Sequence, residues 1–248
     1  MKKIAFLIPS TSKDRDWKTL DETYLYKYLL PSIVSVSKDF SIKVFIGYDD
    51  DDELYSNIDL PKFYQSCNQP LVDNSFGNFN SVLFEIEWVK FDAESVRGKP
   101  THIWNGLSTL SRKQEYEYMM VLGDDIVCDK RKEWLGIFIK NLKNNNNIGF
   151  SAGWSNNDEI PTQFLIHKTH IDIFGFVYPP QIYNWYCDNW MAQVYGKKFG
   201  NWLKDYKLLN VGGEPRYTPK DDKRLCDMLV SRHRKKIIKY INKDKYMD

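Results

Sequence analysis

Four apolar runs limit what this chain can fold into: residues 4–10, 42–48, 82–91 and 118–123 are rich in Ile, Val, Phe and Tyr, and each ends in polar or turn-forming residues. Runs of this kind predict buried strands. The segments between them carry a helical period. Leu20, Tyr24, Tyr28 and Leu29 share a helical face over Leu20 to Lys38, which Pro31 interrupts or kinks. Ile103, Leu107, Leu110 and Gln114 do so over His102 to Glu117, and Trp134, Leu135, Phe138, Ile139 and Leu142 over Lys132 to Lys143. Strands alternating with helices predict an α/β fold with a mostly parallel central sheet covered on both faces, and ligands outside the carboxyl ends of its strands. A length of 248 residues suits one such domain with a substantial core.

Asn144 to Asn147 reads as a surface loop closing a first half, about 1–147. The second half, about 148–248, continues without a linker. It predicts a strand over Ile148 to Trp154, a polar loop over Ser155 to Ile160, an aromatic-rich stretch over Thr162 to Tyr178, and a helix from about Asp188 to Phe199 with Trp190, Met191, Val194 and Tyr195 as its apolar stripe. Arg232 to Ile241 predicts a basic amphipathic helix. Such a helix can touch anionic membranes, but most such faces are simply solvated, and the solvated reading is preferred. A formal net charge of +2 gives no argument for a nucleic-acid partner. Met1 to Pro9 imitates a signal peptide but its apolar stretch is too short, so it reads as a first buried strand. Cys67, Cys128, Cys187 and Cys226 form no CxxC pair, which argues against a zinc site and a disulfide framework; a reducing, cytoplasmic setting is expected.

The chemistry begins where the strand Tyr118-Met119-Met120-Val121-Leu122 runs through Gly123 into Asp124-Asp125. Two adjacent carboxylates at a buried strand end are costly unless a cation or hydrogen-bond donors compensate them. Hard oxygen ligands of this kind suit Mg²⁺ or Mn²⁺ bridged to phosphate oxygens. An ordinary turn with an Asp cap for a following helix is the competing reading. In a parallel sheet this pair meets Pro9-Ser10-Thr11, Asp49-Asp50-Asp51-Asp52 and Arg97-Gly98-Lys99 on one edge. Of the four consecutive acids, Asp49 is expected to reach a ligand and the other three to form a solvated turn.

The strings Tyr28-Leu29-Leu30-Pro31-Ser32-Ile33, Phe45-Ile46-Gly47-Tyr48-Asp49-Asp50-Asp51-Asp52, Leu122-Gly123-Asp124-Asp125-Ile126 and Asn184-Trp185-Tyr186-Cys187-Asp188-Asn189-Trp190 resemble those of nucleotide-diphospho-sugar glycosyltransferases of the GT-A fold, in flavour those encoded by large DNA viruses and some microbes. The resemblance runs from Ile4 to about Phe199. It implies a single Rossmann-like GT-A domain, a nucleoside-diphosphate-sugar donor (a UDP-sugar first) and Mn²⁺ or Mg²⁺ held by an Asp-x-Asp-type element. In that element Asp125 matches the metal-binding acid and Asp124 the middle position, which serves metal or donor; Gly123 stands where many members have a first acid. Pro9, Ser10, Thr11 and Asp49 match nucleoside-pocket positions, and Arg97, Lys99 and Asn105 fall where ribose, phosphate or donor sugar is touched. Asp188 corresponds to the general base of inverting members, with helix capping as its alternative. Trp154, His167, Trp185, Tyr186 and Trp190 are the expected acceptor platform, acceptors being glycans or protein-linked sugars.

The resemblance thus implies metal-dependent transfer of a sugar to an acceptor hydroxyl with inversion. A retaining transferase and a carbohydrate-binding protein that kept the fold are the alternatives. A nucleotidyltransferase is disfavoured because no Gly-rich loop follows the first strand. The C-terminal histidine that many members use as a metal ligand has no counterpart over Val211 to Tyr217, which leaves phosphate or Glu214 to complete coordination. Arg216 and Lys220 read equally as lid residues on donor phosphates and as surface loop. His167 and His170 lack a third metal ligand and read as core or acceptor-site packing.

Overall fold

The computed structural model describes residues 2–34, 40–57, 84–131, 133–213 and 216–243. The sequence readings at 35–38, Cys67, 82–83, Lys132 and Glu214 lie outside them. Among the described residues eight strands form one sheet: β1 (Lys2–Pro9), β2 (Phe40–Asp49), β3 (Phe84–Phe91), β4 (Tyr118–Val121), β5 (Ile126–Cys128), β6 (Phe150–Trp154), β7 (Phe164–His167) and β8 (Gly200–Asn210). Their order is β3-β2-β1-β4-β7-β6-β8-β5. β3, β2, β1 and β4 run parallel, as do β6 and β8, whereas β7 and β5 are antiparallel to their neighbours. Six strands therefore point their carboxyl ends to one edge.

Alternation along β1 explains why both faces need cover. Ile4, Phe6 and Ile8 enter one core, which Trp134, Leu135 and Phe138 of α5 (Trp134–Asn144) help to fill. Ala5 and Leu7 enter the other, with Ile103 and Leu107 of α4 (Pro100–Lys113) and Trp190 and Val194 of α7 (Cys187–Phe199). All five residues from Ile4 to Ile8 are fully buried, and each large side chain of this kind contributes roughly 1.5–3 kcal/mol on leaving water. This is a Rossmann-like α/β arrangement.

Several elements differ from the sequence expectation for local reasons. The segment expected as one helix from Leu20 is a 3₁₀ turn (Leu20–Glu22), a π-helical turn (Leu25–Leu29) and α1 (Leu30–Val34). Pro31 cannot donate to the preceding turn, and the wider π turn, in which Leu30 N–H reaches Leu25 O, absorbs it. The stretch 162–178 holds β7 and the short α6 (Lys168–Phe174), which Gly175 ends in the left-handed conformation (φ 86°). β5 and β8 carry no clear period and were not expected. α8 (Lys223–Asn242) begins well before Arg232, and its apolar stripe, Cys226, Leu229, Val230, His233 and Ile237, is spent on the core. Among the described residues no helix is long and apolar enough to cross a membrane. Cys128, Cys187 and Cys226 are buried free thiols.

Candidate active site

The turn between β4 and β5 places Asp124 and Asp125 at the carboxyl edge, and no helix starts there, which removes the capping alternative. The two acids have different surroundings. Asp124 is buried; its Oδ2 accepts from Ser10 Oγ at 2.7 Å and from Arg216 Nη1 at 2.8 Å, and its Oδ1 accepts from Arg216 Nη2. Ser10 Oγ also meets the hydroxyl of Tyr55 at 2.7 Å. Arg216 is therefore no surface-loop residue. Burial works against its charge, but Asp124 and Asp125 outweigh that and raise its pKa.

Asp125 is held by β8 and the residues after it. Val211 N–H donates to Asp125 O at 2.9 Å, the Asn210 side chain donates to the carboxylate, and Asn210 Oδ1 accepts from Gly212 N–H at 2.9 Å. Desolvation first, and then the charge of Asp124, push the Asp125 carboxyl up to about 6 against the pull of Arg216 and Asn210. Its packing explains two glycines. A Cβ at Gly212 would stand 1.9 Å from Asp125 Oδ2 and 2.6 Å from its Cβ, and one at Gly123 would stand 2.7 Å from Oδ1. The position before the acid pair thus holds a residue without a side chain where Asp125 occupies the space. Gly123→Asp is expected to displace the Asp125 carboxylate and to cost about 1–3 kcal/mol in denaturant unfolding. Gly212→Ala is expected to cost about 1–3 kcal/mol in denaturant unfolding, because the Asp125 Cβ cannot rotate out of the way.

The loops after β1 and β2 lock onto one another. Asp52 is buried, caps α2 (Glu53–Ser56) through Tyr55 N–H, and accepts from Thr11 Oγ1 at 2.9 Å and from Ser12 N–H and Oγ at 2.7 Å. Asp50 accepts at 3.0 Å from the N–H of Ala93, the first residue of α3 (Ala93–Val96). The expected solvated turn is therefore wrong for Asp52, which ties β2 to the loop after β1, whereas Asp50 is exposed as expected and accepts one backbone bond from its solvated position. Asp49 is buried and pairs with Lys13 at 3.1 Å; desolvation raises its pKa against the pull of Lys13. Pro9 ends β1, and Thr11 O accepts from Arg216 Nη1 at 2.7 Å. Arg97 is exposed and pairs with Asp51. Lys99 donates to Ser95 O at 3.1 Å, and its ammonium lies 5.2 Å from the Tyr183 ring centre. Asn105 departs from its expected donor role: its Oδ1 accepts from Val177 and Tyr178 N–H, and its amide donates to Tyr178 O, so it fixes that chain segment instead.

Asp188 sits in the first turn of α7, where Tyr186, not Asp188, is the capping position. The carboxyl is partly accessible in area yet largely desolvated, which pushes it up to about 7, while contacts from Cys187 Sγ and Tyr178 Oη pull the other way. Tyr217 connects this acid with the first pair: burial raises its pKa, and its hydroxyl lies in the field of Cys187, Asp188, Asp125 and Arg216. Asn184 holds the Tyr217 segment in place, accepting from Trp185 N–H and Lys220 N–H while donating to Gly98 O and Thr218 O. The Lys220 ammonium stands 4.6 Å from the Tyr183 ring centre.

The acceptor-side residues divide. Trp185 is 47% exposed beside half-buried Tyr186, whose positive φ of 70° turns the chain into α7; such a conformation in a bulky residue is strained and concentrates at functional sites. Trp154 ends β6 at the carboxyl edge, with Lys207 4.2 Å from its ring centre and its Nε1 donating to Asp158 at 2.8 Å. Trp190 is fully buried and donates to His233 Nδ1 at 3.2 Å, so it is core and not platform. His167 pairs with Tyr118 at the amino end of β4, six residues before Asp124, roughly 20 Å away at about 3.3 Å per residue. It caps α6, which removes it from the acceptor set. His170 lies between Tyr195 Oη and Val177 O in the core.

Sequence reading missed Asn210, Gly212, Tyr217, Asn184, Tyr178 and Asp52. They are brought in by β8, by the chain that follows it or by loop pairing; Asn184 and Asp52 stand inside two of the quoted strings, which gave them no role, and the others stand in none. A divalent ion tests the donor set differently at each acid. Asp124 has its oxygens engaged by Arg216 and Ser10, so it does not fit as a ligand. Asp125 has a carboxylate oriented by Asn210, and one carboxylate with phosphate and water oxygens is a normal Mg²⁺ arrangement. Among the described residues no group of three His, Cys, Asp or Glu could hold an ion alone.

The fold and the edge define the class: a Rossmann-like α/β domain whose acid turn lies at the carboxyl edge of its sheet. No protein-family model and no curated protein sequence matches the chain. Among solved structures it resembles S. aureus TarS 1–349 with a TM-score of 0.56 at 12% identity, covering 94% of this chain and 65% of that one. The UDP complex of TarS 1–349 gives 0.53 at 12% identity, over 94% and 65%. Its UDP-GlcNAc complex gives 0.54 at 13%, over 94% and 66%. The chain thus spans less than two thirds of the length of these structures, and what they share with it is the fold.

Proposed function

We propose that this chain is a glycosyltransferase that moves a sugar from a UDP-sugar to an acceptor hydroxyl with inversion, with Mn²⁺ or Mg²⁺ held at Asp125. The observation that carries this reading is the acid turn after β4, where Arg216 is held on Asp124 and Asn210 on Asp125, with Asp188 near enough for its charge to act on the same Tyr217 as Asp125 and Arg216. A fold shared with proteins crystallised with UDP and UDP-GlcNAc supports it.

The β1 and β2 ends, with Ser10, Thr11 and Asp49, bind the nucleoside, and the acid turn faces the diphosphate. A divalent ion there stabilises the negative charge that develops on the leaving diphosphate. Asp125 binds such an ion only when ionised, so metal affinity is expected to fall as pH drops through about 6. Asp188 accepts the acceptor proton as the hydroxyl attacks. A base near pKa 7 is half ionised at neutral pH and still basic enough to take it. Trp185, Tyr186 and Trp154 offer aromatic surface on which sugar faces stack.

The test is a thermal-shift panel of UDP and UDP-GlcNAc with and without Mn²⁺, followed by donor hydrolysis without acceptor. Ligands that bind only the folded state raise its melting temperature. Asp125→Asn is expected to abolish the Mn²⁺-dependent part of the shift; persistence of that part places the ion elsewhere. A carbohydrate-binding protein that had lost catalysis gives no hydrolysis under any of these conditions.

A further inference from the structure

We propose that the acid pair is divided between two cations: Asp125 serves the divalent ion, and Asp124 positions Arg216, whose free edge binds the donor diphosphate directly. This rests on the nucleotide-sugar reading above and assigns part of donor affinity to the protein alone.

The Arg216 guanidinium carries five N–H groups in one plane. Nη1 donates to Asp124 Oδ2 at 2.8 Å and to Thr11 O at 2.7 Å, and Nη2 donates to Asp124 Oδ1. Those bonds use both Nη1 hydrogens and one on Nη2. The Nε–H and the second Nη2–H remain, side by side on the adjacent edge, in the fork that matches two phosphate oxygens. The group is fixed before a ligand arrives, since Asp124 is itself held by Ser10 Oγ, which in turn meets Tyr55. It is also reachable: the Arg216 side chain is 14% exposed against 2% for Asp124. An arginine immobilised this way loses little freedom on binding an anion, and lysine cannot reproduce the fork. Asp124 pays for this by giving up metal ligation, which is why its oxygens are full.

The experiment is calorimetry of UDP in EDTA and in Mn²⁺, with uridine binding followed by ligand-observed NMR, on the full chain and on Arg216→Lys, Arg216→Gln and Asp124→Asn. Circular dichroism at the assay temperature shows which variants are native. The unmodified chain is expected to bind UDP in EDTA. Arg216→Lys and Arg216→Gln are expected to weaken that binding at least about tenfold while uridine binding stays constant, since only the phosphate contact is removed. Asp124→Asn, which keeps the guanidinium but loosens it, is expected to fall between, again without changing uridine. UDP affinity in EDTA that is unaltered in Arg216→Gln, uridine binding that falls in parallel, or UDP binding that requires Mn²⁺ altogether overturns the role of Arg216 and leaves the nucleotide-sugar reading standing. Failure of both UDP and UDP-GlcNAc to bind under either condition overturns both.

Discussion

Asp188→Asn is expected to lower sugar transfer by roughly 10²–10⁴-fold, the usual worth of a positioned base, with UDP affinity unchanged and the folded protein more stable above neutral pH. The two effects have one cause. Burial holds the carboxyl near 7, whereas in the unfolded chain it ionises in the ordinary range near 4. A raised native pKa means that its contribution to stability is fully present below the unfolded value and is lost as pH rises through about 7. The ionisable form therefore weakens the fold at pH 8 by as much as roughly 4 kcal/mol. Asparagine removes the charge but brings an amide to be satisfied, so a gain of about 1–3 kcal/mol is expected at pH 8 and none at pH 4. Urea unfolding at the two pH values checks it. A helix-capping acid behaves in the opposite way, since its removal costs stability; loss of stability at pH 8 would mean that Asp188 is structural. The rate profile adds a further check: transfer should rise with pH through about 7 as the base ionises.

Arg216→Met is expected to destabilise the chain by about 3–5 kcal/mol, because it leaves Asp124 as a buried charge without its cation. For a domain of this size that lowers Tm by roughly 10 °C, at about 2–4 °C per kcal/mol. The double variant Arg216→Met with Asp124→Leu should recover most of the loss, since replacing both members of a buried pair by apolar groups is commonly neutral. Ser10 and Tyr55 retain their mutual hydrogen bond in that variant. Scanning calorimetry of the two single variants and the double one closes the cycle. If the singles cost less than about 1 kcal/mol, the pair is solvated and contributes no more than a surface ion pair does. UDP affinity in EDTA is not expected to return with stability, because the guanidinium is gone.

The sequence by itself determined the parallel part of the sheet and the edge. Apolar runs at β1 and β2, helical spacing in α4 and α5, and an acid pair after β4 are local patterns, and local patterns survive without knowledge of the fold. They placed Ser10, Thr11, Asp49, Asp125 and Asp188 correctly with respect to the strand and helix ends that carry them. Only tertiary structure decided what each side chain meets. Trp190 and Trp185 stand five residues apart in one aromatic string, yet one is fully buried and the other half exposed, because α7 turns one towards His233 and leaves the other ahead of its first turn. Asn105 looked like a donor ligand and holds residues 177 and 178; Asp52 looked solvated and holds residues 11 and 12. Arg216 reaches Asp124 across 92 positions of sequence and Asn210 reaches Asp125 across a β5–β8 pairing with no periodic signature. Contacts of that range depend on where the sheet returns the chain, and no local spacing encodes the return.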